Sequence, residues 1–126
     1  MNGMLFDTNI IIYLSKRELE LDAFVTHESH LYISVITYLE ALGFPFRSKQ
    51  EEQTVRTICN QFETIGLDDD IVDKVIAIKQ NKKVKLPDAI IAATAINTNL
   101  YLVTANVDDF KNIDESLQVI NPIKQV

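Results

Sequence analysis

Short apolar runs alternate along this chain with longer segments in which apolar residues recur at helical spacing. Met4-Leu5-Phe6 is such a run, stopped by Asp7-Thr8-Asn9, all turn and cap formers, and it reads as a short buried strand. A helix is expected through Ile12, Tyr13 and Leu14, and Glu18 to Val25 is compatible with another. Leu31-Tyr32-Ile33 reads as a second strand running into a helix that carries Tyr38, Leu39, Glu40 and Leu42 and ends at Gly43 and Pro45. From Glu51 to Phe62, Val55, Ile58, Cys59 and Phe62 form a helical stripe. Asp68-Asp69-Asp70 caps the next helix, whose expected buried side is Ile71, Val72, Val75, Ile76 and Ile78. Pro87 suits the first turn of a helix reaching about Thr98, apolar nearly all round and therefore central. Tyr101-Leu102-Val103 gives a third strand and Leu117 to Ile120 a fourth, stopped by Pro122. Strands alternating with helices predict an α/β sandwich on a parallel sheet, with residues 1–126 as one domain.

That map gives the acidic residues a common address. Ligands of open α/β sheets sit beyond the carboxyl ends of the strands. Asp7 follows the first strand, Glu40 comes shortly after the second, and Asn106, Asp108 and Asp109 follow the third. Asp88 stands at the amino end of the apolar helix before that third strand. Each has a structural alternative. Asp7 can cap the helix after it, Thr37-x-x-Glu40 has the spacing of a capping box, and Asp88 suits the positive end of its helix. Asp108 and Asp109 can be turn residues. Gathered at one sheet edge, however, carboxylates repel until a cation enters, and hard oxygen ligands select Mg²⁺ or Mn²⁺. Such a cluster activates water and stabilises charge on a phosphodiester.

The composition narrows the alternatives. With 12 Lys and Arg against 18 Asp and Glu, the net charge is −6, which argues against a protein that coats duplex DNA. Cys59 is the only cysteine, so the chain has no internal disulfide and no thiolate zinc cluster, and a reducing compartment is expected. The apolar start is broken by Asp7 and Asn9, and Ile10 to Leu14 is far too short to span a bilayer, so a cytoplasmic protein without membrane contact is expected. His27 and His30 lie in a polar stretch and read as surface residues. No Gly-x-Ser-x-Gly or glycine-rich phosphate loop is present. Lys79, Lys82, Lys83 and Lys85 form the one basic cluster; it is a solvated helix end or, through Lys83 and Lys85 just before Asp88, a contact for RNA phosphates. Phe44-Pro45-Phe46 and the helix that follows supply either a small satellite core or a docking surface.

Four blocks, in order, then resemble one family. The blocks Met4 to Leu14 (with Phe6-Asp7-Thr8-Asn9), Leu31 to Leu42 (with Thr37-Tyr38-Leu39-Glu40), Lys85 to Ala95 (with Pro87-Asp88-Ala89) and Leu102 to Phe110 (with Thr104-Ala105-Asn106) are similar to those of VapC-like PIN-domain toxins. The resemblance spans nearly the whole chain. It implies a PIN-like three-layer sandwich, a short parallel β-sheet flanked by helices, and an endoribonuclease dependent on Mg²⁺ or Mn²⁺. It implies Asp7 and Asp88 as metal ligands, Glu40 as a further acid, Thr8 and Thr104 as supporting hydroxyls and Asn9 as a supporting amide. It also implies an RNA substrate, a homodimer and a small antitoxin partner.

Two departures stand out. Ala105 occupies a place where the family often has Arg, and Asn106 one where many members have Asp. The fourth oxygen donor is therefore Asn106 or Asp109, the latter brought back to the site if residues 107–110 make one helical turn. Two other readings remain. A phosphotransferase with Asp7 as nucleophile would want a second acid where Asn9 stands, and a degenerate family member would bind RNA or a protein without cleaving.

Overall fold

The computed structural model describes residues 3–23, 25, 26, 29–43 and 45–123. Five parallel strands form one sheet in the order β3-β2-β1-β4-β5, where β1 is Gly3–Phe6, β2 His30–Ser34, β3 Glu63–Ile65, β4 Tyr101–Val103 and β5 Val119–Ile120. The helices are α1 (Thr8–Ser15), α2 (Val35–Leu42), α3 (Lys49–Cys59), α4 (Asp69–Asn81) and α5 (Leu86–Thr98). The sheet flanked by helices is the expected three-layer arrangement.

Successive residues of a strand face opposite sides, so a central strand buried on both faces is apolar throughout. In β1, Leu5 enters the core built with α4 and α5, while its neighbour Phe6 enters the one built with α1 and α3. The strands beside it repeat the split. Leu5 is level with Leu102 and Phe6 with Val103, and each pair shares a core. Thus β1 and β4 bind the two layers together.

Capping residues place the helices. Asp68 Oδ1 accepts from Ile71 N–H at 2.8 Å and starts α4; Ser48 Oγ accepts from Glu51 N–H at 3.1 Å and starts α3. Pro87 lies in the first turn of α5, and Asn99, in the left-handed conformation at φ 58°, ends it. Ala89 to Ala95 of α5 are all buried, so this helix is central as its composition demands. Among the described residues no helix is long and apolar enough to cross a membrane.

Several elements differ from expectation. Among the described residues from Glu18 to Val25 there is no α-helix, and a 3₁₀ turn, Leu21–Ala23, is found. Leu19, Leu21 and Val25 all pack against the same core, and residues two apart cannot share one face of an α-helix. The sheet has a fifth strand, β3, at its edge: three residues with only Ile65 partly buried, too short and too polar to announce itself. Helix α3 starts two residues early and stops at Cys59, leaving Phe62 beyond it, edge-on to Phe6 with ring centroids 5.0 Å apart. In α4 only Ile71, Val75 and Ile78 are buried, while Val72 and Ile76 are 40% and 49% exposed on the shoulder of the stripe. His30 is exposed at the start of β2; His27 and Phe44 lie outside the described residues.

This division of α4 is testable by denaturant unfolding. Ile78→Ala should cost about 2–5 kcal/mol of stability, the range for emptying a buried aliphatic site. Ile76→Ala should stay within about 1 kcal/mol, because most of its lost contact is with water. Equal losses would return Ile76 to the core.

Candidate active site

The strand order reverses between β1 and β4, and Asp7 and Thr104 stand immediately beyond the carboxyl ends of those two strands. A parallel sheet opens a crevice at such a switch point. The two exits are tied by Asp7 N–H donating to Val103 C=O at 2.9 Å, and Thr104 N–H donates to Ile120 C=O on β5 at 2.9 Å.

Asp7 is only 5% exposed. As N-cap of α1 it accepts from Thr8 N–H at 2.7 Å on Oδ1. Its Oδ2 takes Thr104 Oγ1 at 2.8 Å and Asn9 Nδ2 at 3.0 Å. The capping role and a place in the site are therefore held by one residue. Asn9 also bridges to β4, donating to Thr104 Oγ1 at 3.2 Å and accepting from Ala105 N–H at 3.1 Å on Oδ1. An Asp at position 9 could make only the second of these. Thr104 is fully buried and its hydroxyl oxygen also accepts from Asn106 N–H at 3.0 Å.

Glu40 enters from α2. That helix is capped by Ser34, whose Oγ accepts from Ile36 N–H at 3.1 Å, so Thr37 and Glu40 do not form the capping box that their spacing allows. Glu40 Oε1 instead accepts from Thr8 Oγ1 at 2.7 Å, and Thr37 Oγ1 lies 3.1 Å from the same Thr8 oxygen. Thr37, fully buried, was not singled out as a site residue. Its position three before Glu40 on a helix carried the signal, since residues so spaced share a face.

The carboxylates act on one another. Burial pushes the Asp7 carboxyl above its ordinary value; hydrogen bonds from Thr104 and Thr8 oppose this, and the Glu40 charge adds to it. Asp88, in the first turn of α5, is pushed up to about 6, first by burial and then by the charges of Asp7, Asp109 and Glu40, with Lys85 opposing. Residues 107–109 do form one 3₁₀ turn, and its two acids part company. Asp109 acts on Asp88, whereas Asp108 is exposed and pairs with Lys111 at 3.2 Å. Asn106 is exposed and its side chain makes no cap bond. Lys83 is exposed in the segment between α4 and α5.

The structure thus brings together Asp7, Glu40, Asp88 and Asp109, with Thr8, Asn9 and Thr104 as the scaffold. Among the described residues no three His, Cys, Asp or Glu side chains are close enough to enclose an ion by themselves. Two carboxylates suffice for Mg²⁺, which keeps several of its waters, so the hard-oxygen donor set fits such a cation.

This sheet with acids at its switch point is the architecture of a PIN domain, and the chain belongs to that family: the PIN domain model matches residues 4–116. The chain is similar to Ribonuclease VapC1 of Haemophilus influenzae (strain R2866), at 30% identity over 88% of this chain and 92% of that protein. Among solved structures it is similar to a chain of a toxin–antitoxin complex from Klebsiella pneumoniae, with TM-score 0.74, 35% identity and coverage of 97% and 99% of the two chains. A chain of VapBC2 from Rickettsia felis, bound to a promoter DNA fragment, shares the fold at TM-score 0.79 and 21% identity, covering 94% of this chain and 98% of that one.

The raised Asp88 carboxyl gives a stability signature with a definite sign. An unfolded Asp titrates near 3.9 and this one near 6, so between those values the folded chain holds a proton that the unfolded chain has released. Stability without divalent ions should therefore fall as pH rises through this window. Asp88→Asn, with nothing to titrate, should flatten much of that slope and melt above wild type at pH 7, the two converging near pH 4. A variant that melts below wild type at pH 7 would mean that the helix N-terminus favours the Asp88 charge more than its neighbours oppose it.

Proposed function

We propose that this protein is a Mg²⁺- or Mn²⁺-dependent endoribonuclease that hydrolyses RNA phosphodiester bonds at the site of Asp7 and Asp88. A small antitoxin protein holds it in check. The observation that carries this reading is the crowding of charge on Asp88 by Asp7, Asp109 and Glu40, in a site whose donors are all hard oxygens. A divalent cation relieves that repulsion. Membership of the PIN-domain family and similarity to a protein named as a ribonuclease support the chemistry. Similarity to a chain from a toxin–antitoxin complex supports the partner.

Asp7 and Asp88 would hold the cation through carboxylate oxygens. When bound, it would make a water more acidic and offset charge on the phosphodiester. The remaining work falls to the chain. Thr104, Asn9 and the Thr8 amide fix the Asp7 carboxylate, so it needs little reorganisation to act. Glu40, held by Thr8, accepts a proton from the attacking water. Asp109 supplies the fourth acid, since its charge already bears on Asp88, and Asn106 flanks it in a polar cleft of about 480 Å³ shared with Asn121. Lys85, whose charge also reaches Asp88, and the exposed Lys83 contact RNA phosphates.

The partner surface is the groove of about 410 Å³ between α1 and α3, bordered by Ile12, Pro45, Glu51 and Val55. Phe46 packs against the core beside it. A homodimer, with a cytoplasmic location, completes the reading.

The full chain incubated with a structured RNA and Mn²⁺ should cleave it, and EDTA should stop the reaction. Asp88→Asn should retain the fold and lose roughly 100-fold or more in rate, beyond the 10–100-fold typical of losing outer support around a metal. RNA binding without cleavage would instead select the non-cleaving family member. Of the paired acids, Asp109→Asn should slow cleavage and recover partly with more Mn²⁺, while Asp108→Asn should match wild type. Equal rates in the two would remove Asp109 from the site.

A further inference from the structure

Thr37 touches the acidic site through Thr8, and none of the preceding roles uses it. It sits in the first turn of α2, fully buried, with its Oγ1 3.1 Å from Thr8 Oγ1. Helical threonines commonly turn their hydroxyl back onto the carbonyl four residues earlier. Three others among the described residues do so: Thr54 donates to Gln50 C=O at 3.0 Å, Thr94 to Ile90 C=O at 2.7 Å and Thr98 to Thr94 C=O at 2.6 Å. For Thr37 the residue four back is Ile33, within β2, level with Thr64 of the neighbouring strand. The Thr37 hydroxyl therefore reaches across to another element, α1.

Thr8 Oγ1 is the donor in both of its side-chain contacts, to Glu40 Oε1 at 2.7 Å and to Thr37 Oγ1 at 3.1 Å. The Glu40 oxygen, a carboxylate, can only accept, and its bond is the shorter. The one Thr8 hydroxyl proton is thus shared between an exposed acceptor, Glu40, and a buried one, Thr37. The buried Thr37 oxygen anchors the inner side of the hydroxyl that holds Glu40.

Glu40 needs such a tether. It is exposed, and its long side chain loses considerable rotamer freedom whenever it is held in one place. The Thr8 hydroxyl is its one described hydrogen bond, and that hydroxyl can rotate unless something holds its oxygen. We infer that Thr37 is a positioning residue for the acidic site, acting through Thr8 to hold the Glu40 carboxylate over the crevice. Its contribution rests on the nuclease reading above for its effect on rate, but not for its effect on Thr8.

Thr37→Val keeps the shape and loses the hydroxyl, while Thr37→Ser keeps the hydroxyl and loses a methyl. Two readouts separate this role from packing. Three-bond NMR couplings to the Thr8 methyl report its rotamer without any turnover. They should show one rotamer in wild type and in Thr37→Ser, and averaging in Thr37→Val. In RNA cleavage with Mn²⁺, Thr37→Val should lower kcat by about five- to tenfold, the scale of one hydrogen bond, with KM little changed and the rate recovered in Thr37→Ser. In a Thr8→Val background the Thr37→Val change should have no further effect. Unchanged Thr8 couplings in Thr37→Val would overturn this positioning role whatever the rates. If wild type does not cleave RNA, the nuclease reading falls, and the couplings still decide whether Thr37 orders Thr8. An equal loss in Thr37→Ser and Thr37→Val, with couplings intact in both, would assign Thr37 to packing alone.

Discussion

A single buried carboxylate, and the donors that replace its water, govern the architecture around it. Placing Asp7 at 5% exposure costs free energy unless donors replace its water, and three do so. Those donors come from two places: the first turn of α1 and the exit of β4. The carboxylate therefore sets how closely β1 and β4 must approach at their ends and how α1 must leave the sheet. Thr104 is buried with its hydroxyl aimed at Asp7, and the Asn9 amide donates to Asp7 while accepting from Ala105, a pairing that a carboxylate in its place could not make.

The outer acids are held with less certainty of place and more freedom of charge. Glu40 is fixed through hydroxyls, Asp88 by its helix, and Asp109 by a single 3₁₀ turn. The repulsion they share is stored in the fold while no cation neutralises it. Elsewhere an acid has been made to serve structure alone. Asp114, held down to about 2 by the Ser116 amide and hydroxyl and by Lys74, ties the loop before β5 to α4. The contrast separates two kinds of carboxylate in one chain: one fully paired with donors, the others crowded against their like.

The sequence disclosed the central elements because burial on both faces leaves no room for polar residues. β1, β4 and α5 are apolar for that reason and were legible, as were the turn and cap residues at Asp7, Asp68 and Pro87. Edge and surface elements obey weaker constraints. β3 carries Glu63 and Thr64 because one side of it meets water, so no period betrays it, and Val72 and Ile76 imitate a buried stripe while standing at its margin. In the site, strand ends announced Asp7, and the helix start Asp88. The hydrogen-bond route from Thr37 to Glu40 was hidden, because a spacing of three suits a helix cap and a shared face equally well. Only the position of Ser34 decides between them.

The bond from Thr104 to Asp7 joins residues 97 positions apart, and Thr104 is itself held by Ile120. During synthesis the amino-terminal portion of the chain emerges with Asp7, Glu40 and eventually Asp88 in it, yet without the strand that supplies the missing donor. A contact so distant in sequence forms late, after the loop it closes has been ordered. A truncated or half-made chain thus carries the acids with only the Thr8 and Asn9 donors to offset the burial of Asp7. Assembly of the crevice is tied to the arrival of β4 and Thr104, so a fragment ending before β4 lacks one of the three donors that hold Asp7.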